Sequence, residues 1–114
     1  MPKDDYYVIA YRLLAYMYEC LKSGEAPNRE YIKYGSDAFP ISEIYWSYIM
    51  SHLYLDDYIE GILLIPVIGR DEKGIKITPE FNITPKGIEY LQSNSTMQRV
   101  RNALKELKEI IPGV

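Results

Sequence analysis

The chain has 114 residues, with thirteen Lys or Arg against sixteen Asp or Glu and a net charge of −3. That length allows one domain, residues 1–114, with a modest core, and the acidic balance excludes a globally basic nucleic-acid binder. The single cysteine, Cys20, excludes an internal disulfide and fits a reducing compartment.

The opening MPKDDYY lacks the pattern of a signal peptide, because acids and tyrosines follow the first Lys at once. Residues 6–21 are rich in apolar groups, but Arg12 and Glu19 interrupt them and the run is too short to span a bilayer. The expectation is a cytoplasmic protein with no membrane partner. Charge is unevenly spread: residues 1–57 carry nine acids and five bases, residues 58–114 seven acids and eight bases.

A first helix is predicted from about Asp5 to Lys22, stopped by Gly24 and Pro27. Its apolar residues run nearly all the way round, from Tyr7, Val8 and Ile9 to Met17, Cys20 and Leu21, so it should be buried on more than one face. A short second helix is predicted over residues 29–34, with Asn28 as cap and Gly35 as stop. Ser42 then caps a third helix from Glu43 to about Leu55. Trp46, Ile49, Met50 and Leu53 recur at spacings of three and four and form its core face. Tyr45, Ser47, Tyr48, Ser51, His52 and Leu55 are left to point outward.

The β-branched run IEGILLIPVI, residues 59–68, predicts a strand, and GRDEKG, residues 69–74, predicts a turn. Ile75, Ile77, Phe81 and Ile83 alternate as a second strand, with Pro79 marking an edge or bulge. ITPKGIEYL opens a fourth helix: Thr84 can cap it, Pro85 takes the first helical position, and Gly87 lets another backbone pass close by. A fifth helix is predicted from about Met97 to Ile111. The expected core includes Trp46, Ile49, Leu53, Ile62, Leu64, Ile88 and Leu91.

This order gives an α+β class and a winged-helix arrangement: three helices, a two-stranded wing hairpin and two further C-terminal helices. The run from YWSYIMSHLYLDDYIEGI through ITPKGIEYLQSNS to the basic last helix resembles the YjcQ-like family, small proteins of bacteria and their phages or prophages. The resemblance implies a winged-helix fold and a phage or prophage connection. It brings no catalytic or binding residues with it.

Catalysis is not expected. There is one histidine, no phosphate-cradling glycine loop and no metal-spaced cluster, so neither cofactor, metal nor small-molecule substrate is predicted. His52 and Asp56 are four apart and read as a helical ion pair. Ser51 is adjacent in sequence and points elsewhere on the helix, which does not make a triad. Cys20 has nothing basic in its local sequence to activate a thiolate and reads as core.

Two binding readings remain. A winged helix would read DNA with its third helix, yet no Arg or Lys lies between Ser42 and Gly69, while Glu43, Asp56, Asp57 and Glu60 do. Phosphate contact would fall to Arg70, Lys73 and Lys76 at the wing and to Arg101, Lys105 and Lys108 on the last helix, giving a nucleic-acid-associated regulator. The alternative is a protein-interaction or phage-assembly module, in which Tyr45, Tyr48, Ser51, His52 and Leu55 form the contact surface. The seam Met97, Val100, Leu104, Leu107 and Ile111 must dock on something. The first helix is its natural partner, within the chain or across a homodimer, and self-association is expected.

Overall fold

The computed structural model describes residues 2–71 and 73–106. It contains α1 (Tyr6–Ser23), α2 (Glu43–Leu55), β1 (Ile59–Pro66), β2 (Lys73–Ile83), α3 (Pro85–Ser93) and α4 (Ser95–Glu106). These are four helices and a two-stranded antiparallel hairpin, an α+β arrangement compatible with a winged helix.

α1 begins where the Asp5 carboxylate accepts from the Tyr7 amide at 3.1 Å and satisfies an amide that the helix itself leaves unpaired. It ends at Gly24, whose φ of 74° turns the chain left-handed. The amide of Glu25 then closes back on the Cys20 carbonyl at 2.9 Å. Between those ends Val8, Ile9, Leu13, Leu14 and Met17 are buried, and α1 packs on α2, α3, α4 and β2. Much of its apolar surface is covered within the chain, while Tyr7 and Leu21 stay exposed.

The predicted second helix is absent: residues 29–34 form a turn. Asn28 starts a single turn, with its carbonyl accepting from Tyr31 and Ile32, but the turn does not propagate. The Ile32 carbonyl is taken at 2.8 Å by the indole N–H of Trp46. Ser36 donates its hydroxyl to the Tyr31 carbonyl at 3.0 Å. These bonds tie the segment to α2 and close it on itself as a turn. The segment is held instead by Ile32 and Phe39, both fully buried.

α2 starts at Ser42, whose hydroxyl accepts from the Tyr45 amide at 3.2 Å. Trp46, Ile49, Met50 and Leu53 are its buried face. Ser47, expected outside, is buried as well, because the hairpin packs on α2 and covers that side. The helix ends without a glycine. Asp57 takes φ 67°, the Tyr58 amide bonds to Leu53 and the Asp57 amide to Tyr54, which is the paired closure usual at a glycine stop.

In the hairpin, Ile59 pairs with Ile83 and Pro66 with Lys73, with residues 67–71 at the tip among those described, so β1 ends two residues before the predicted strand does. The register shifts between Glu60, opposite Asn82, and Ile62, opposite Ile77, so β2 bulges around Pro79. Gly61 faces this bulge at φ 80°, and a Cβ there would run into the Glu80 carbonyl carbon and the Phe81 amide. Thr78 fastens the bulge by donating to the Gly61 carbonyl at 2.7 Å.

α3 starts as its sequence dictates. The Thr84 hydroxyl accepts from Gly87 at 2.9 Å, and a side chain on Gly87 would collide with the Tyr58 carbonyl oxygen. The close approach expected at Gly87 is thus the exit of α2. Asn94 separates α3 from α4, its side chain accepting from Thr96 and Met97. α4 therefore begins two residues before the predicted start. Met97, Val100 and Leu104 are buried, and α4 packs on α1 and α3 of the same chain. Leu107, Lys108 and Ile111 lie outside the described residues. Of the expected core, Trp46, Ile49, Leu53, Ile62 and Leu91 are buried, whereas Leu64 and Ile88 are half-buried at its margin.

Candidate interaction surface

Tyr48 and His52 lie one turn apart on the outer side of α2, so their rings meet, with centroids 4.3 Å apart. The N-terminal turn of α1 brings Tyr6 against Tyr48 edge-on at 6.2 Å, and Tyr7 stands beside Tyr6 at 5.1 Å. Tyr45 reaches across to the segment before α1 and donates its hydroxyl to the Asp4 carbonyl at 2.7 Å. These five side chains line one open cup of about 480 Å³. Tyr48 is 55% exposed and Leu55, at the end of the same helix, 65%.

Burial dominates the electrostatics of the cup, and acids stand close to it. Burial pushes the Tyr6 hydroxyl up to about 12, with further contributions from Tyr90, then Asp56, Tyr48 and Tyr7. Burial raises Tyr45 too, followed by the charges of Asp5 and Asp4. Next to the cup Tyr58 and Tyr90 stack at 4.1 Å with planes 14° apart. Ser51 takes no part in this surface through its hydroxyl, which donates to the Tyr48 carbonyl of its own helix at 2.9 Å.

The basic residues are divided between elements. At the wing tip the Arg70 guanidinium lies 3.7 Å from the Glu43 carboxylate at the start of α2, turned toward the domain. Lys73 and Lys76 are exposed on β2. On α4, Arg101 is half-exposed and hydrogen-bonds Tyr11, pulling back the rise that burial gives this phenol. Lys105 is exposed, and Lys108 is outside the described residues. The hairpin packs on α1 and α2, α4 on α1 and α3.

Sequence reasoning missed two contributors on each side. Tyr6 and Tyr7 count in the sequence among the all-round apolar residues of the first helix, and only the fold brings them to α2. Arg29 and Lys33 were assigned to a helix; the turn sets them beside Lys76, Trp46, Glu30 and Glu43 around a groove of about 470 Å³. Among the described residues no cluster of His, Cys, Asp and Glu could hold a metal ion, and no helix is long and apolar enough to cross a membrane.

No curated protein and no solved structure matches the chain. A family model described as YjcQ protein matches residues 11–110, which takes in α1 from Tyr11 onward, the turn segment, α2, the hairpin and both last helices. The chain therefore belongs to the YjcQ family.

Proposed function

We propose that this chain is a non-enzymatic, winged-helix-like protein-interaction module, in a phage or prophage setting, with the outer side of α2 as its contact face. The observation that carries this reading is the aromatic cup. In a domain that reads DNA through the helix before its wing, that helix offers cations and amides to bases and phosphates. Here the corresponding side chains are Tyr45, Tyr48, His52 and Leu55, and no Arg or Lys occurs between Ser42 and Gly69. Exposed tyrosines bring large contact area at small entropic cost, which suits a protein partner.

A second reading is nucleic-acid association through the wing. It is favoured by Arg29, Lys33 and Lys76 around one groove, with Lys73 exposed farther along the same strand. Such contacts would be to phosphate, nearly sequence-independent and steeply salt-dependent.

A titration with mixed-sequence duplex at ~50 mM salt, where phosphate contacts are strong, separates the two. The interaction reading expects no binding. Binding that is lost on reversing Lys73 and Lys76, and kept in Tyr48→Ala, would replace it with the wing reading.

A further inference from the structure

We propose that the cup of Tyr6, Tyr7, Tyr45, Tyr48 and His52 receives an arginine side chain of a partner protein. This rests on the interaction reading above and adds the chemistry of the occupant. Tyrosine rings carry negative faces that attract cations. Four of the five lining side chains are tyrosines, and none is Lys or Arg. Three acids adjoin the lining residues: the Asp5 carboxylate accepts from the Tyr7 amide, the Asp4 carbonyl accepts the Tyr45 hydroxyl, and Asp56 stands one turn beyond His52 with its amide bonded to the His52 carbonyl. Tyrosine rings with acids on adjoining residues complement a cation and disfavour a phosphate or an acidic peptide.

A purely apolar side chain would use the rings but leave the carboxylates without a counter-charge. Arginine uses both: its planar guanidinium stacks on a ring face while its N–H donors remain available to oxygens at the edge. The cup is also built to persist without its occupant. Tyr45 is tied to the Asp4 carbonyl, and Asp5 is held by its cap bond to Tyr7. The rings are therefore in place before binding, which lowers the ordering cost.

The experiment follows the ring resonances of the full chain by NMR while adding N-acetyl-arginine methylamide, its neutral citrulline counterpart, or N-acetyl-leucine methylamide. Saturable shifts at Tyr6, Tyr7, Tyr45, Tyr48 and His52 are expected with arginine. Citrulline should bind at least about tenfold more weakly, since it keeps the shape and loses the charge. Tyr48→Ala, at an exposed position, should abolish the shifts while leaving Trp46 fluorescence unchanged. Equal binding of citrulline and arginine, arginine shifts elsewhere on the surface, or no shift at all would overturn the proposal. If leucine occupies the cup and arginine does not, the cation is wrong while the contact face survives. Duplex binding through the wing would instead remove the contact-face reading itself.

Discussion

Thr84 donates its hydroxyl proton to the Asp57 carbonyl at 2.6 Å and accepts from the Gly87 amide at 2.9 Å. One buried side chain thereby ties the exit of α2 to the entry of α3. Thr84→Ala removes both bonds and should cost about 1–2 kcal/mol, the upper range for a cap. Thr84→Ser retains the hydroxyl and should recover most of the loss. Urea midpoints of the two variants measure the difference.

Glycines at bends should divide into two groups. Gly24 has a positive φ but open space where a Cβ would stand, so Gly24→Ala should cost only the left-handed penalty, about 1–2 kcal/mol. Gly61 and Gly87 face backbone atoms at distances no side chain tolerates. Alanine at either must displace β2 or the end of α2, at about 1–3 kcal/mol or more for overpacking alone. Gly61→Ala, which adds its own φ of 80°, should be the worst of the three. Thermal melts by circular dichroism rank them.

Trp46→Phe should unlock the turn segment. The indole N–H satisfies the buried Ile32 carbonyl at 2.8 Å, and an acceptor left without a partner costs about 1–3 kcal/mol. Amide exchange in residues 28–41 should quicken more than exchange in α1. Uniform loss across both would mean that Trp46 acts only as general core.

Alkaline pH should destabilise the fold through its tyrosines. An unfolded phenol ionises near ~10, whereas Tyr6 is pushed up to about 12 in the fold. Tyr11, Tyr16, Tyr45, Tyr58 and Tyr90 are raised as well, burial being the main cause for each. Between those two values the unfolded chain has released the proton and the folded one still holds it. The stability these phenols confer is therefore complete below the unfolded value and falls as pH climbs toward the folded one. Tyr6→Phe should flatten that fall. Melting temperatures across the window, alongside tyrosinate absorbance, check it.

Local chemistry was legible in the sequence wherever it was settled locally. Ser42 and Thr84 cap the helices they were expected to cap, the alternation at Ile75, Ile77 and Ile83 marks a strand, and Pro79 sits in a bulge. Gly87 even announced a close backbone approach, though not that Tyr58 makes it. Reading failed where a distant group intervened. Residues 29–34 have helical signals, but they fold as a turn whose contacts reach beyond the segment, the Trp46 indole on the Ile32 carbonyl among them. Ser47 looked external because the hairpin, formed later in the chain, packs on α2 and lies beside it. The cup was half visible: Tyr45, Tyr48 and His52 follow from the register of α2, while Tyr6 and Tyr7 arrive through tertiary packing.

The hairpin's two strands are joined at their base, where the Thr84 amide meets the Tyr58 carbonyl at 3.0 Å and Ile59 pairs with Ile83. That closure lies at the opposite end from the tip, whose described residues are 67–71. Among its described residues, Arg70 reaches the domain through a partly exposed pair with Glu43, and such pairs contribute little. Chain added at the tip lengthens a loop whose ends are already fixed, and doubling a loop costs only about 0.6 kcal/mol. Ile68 stands fully in solvent there. The tip is accordingly the place where this domain can carry a label, a tag or an inserted peptide with its helices undisturbed.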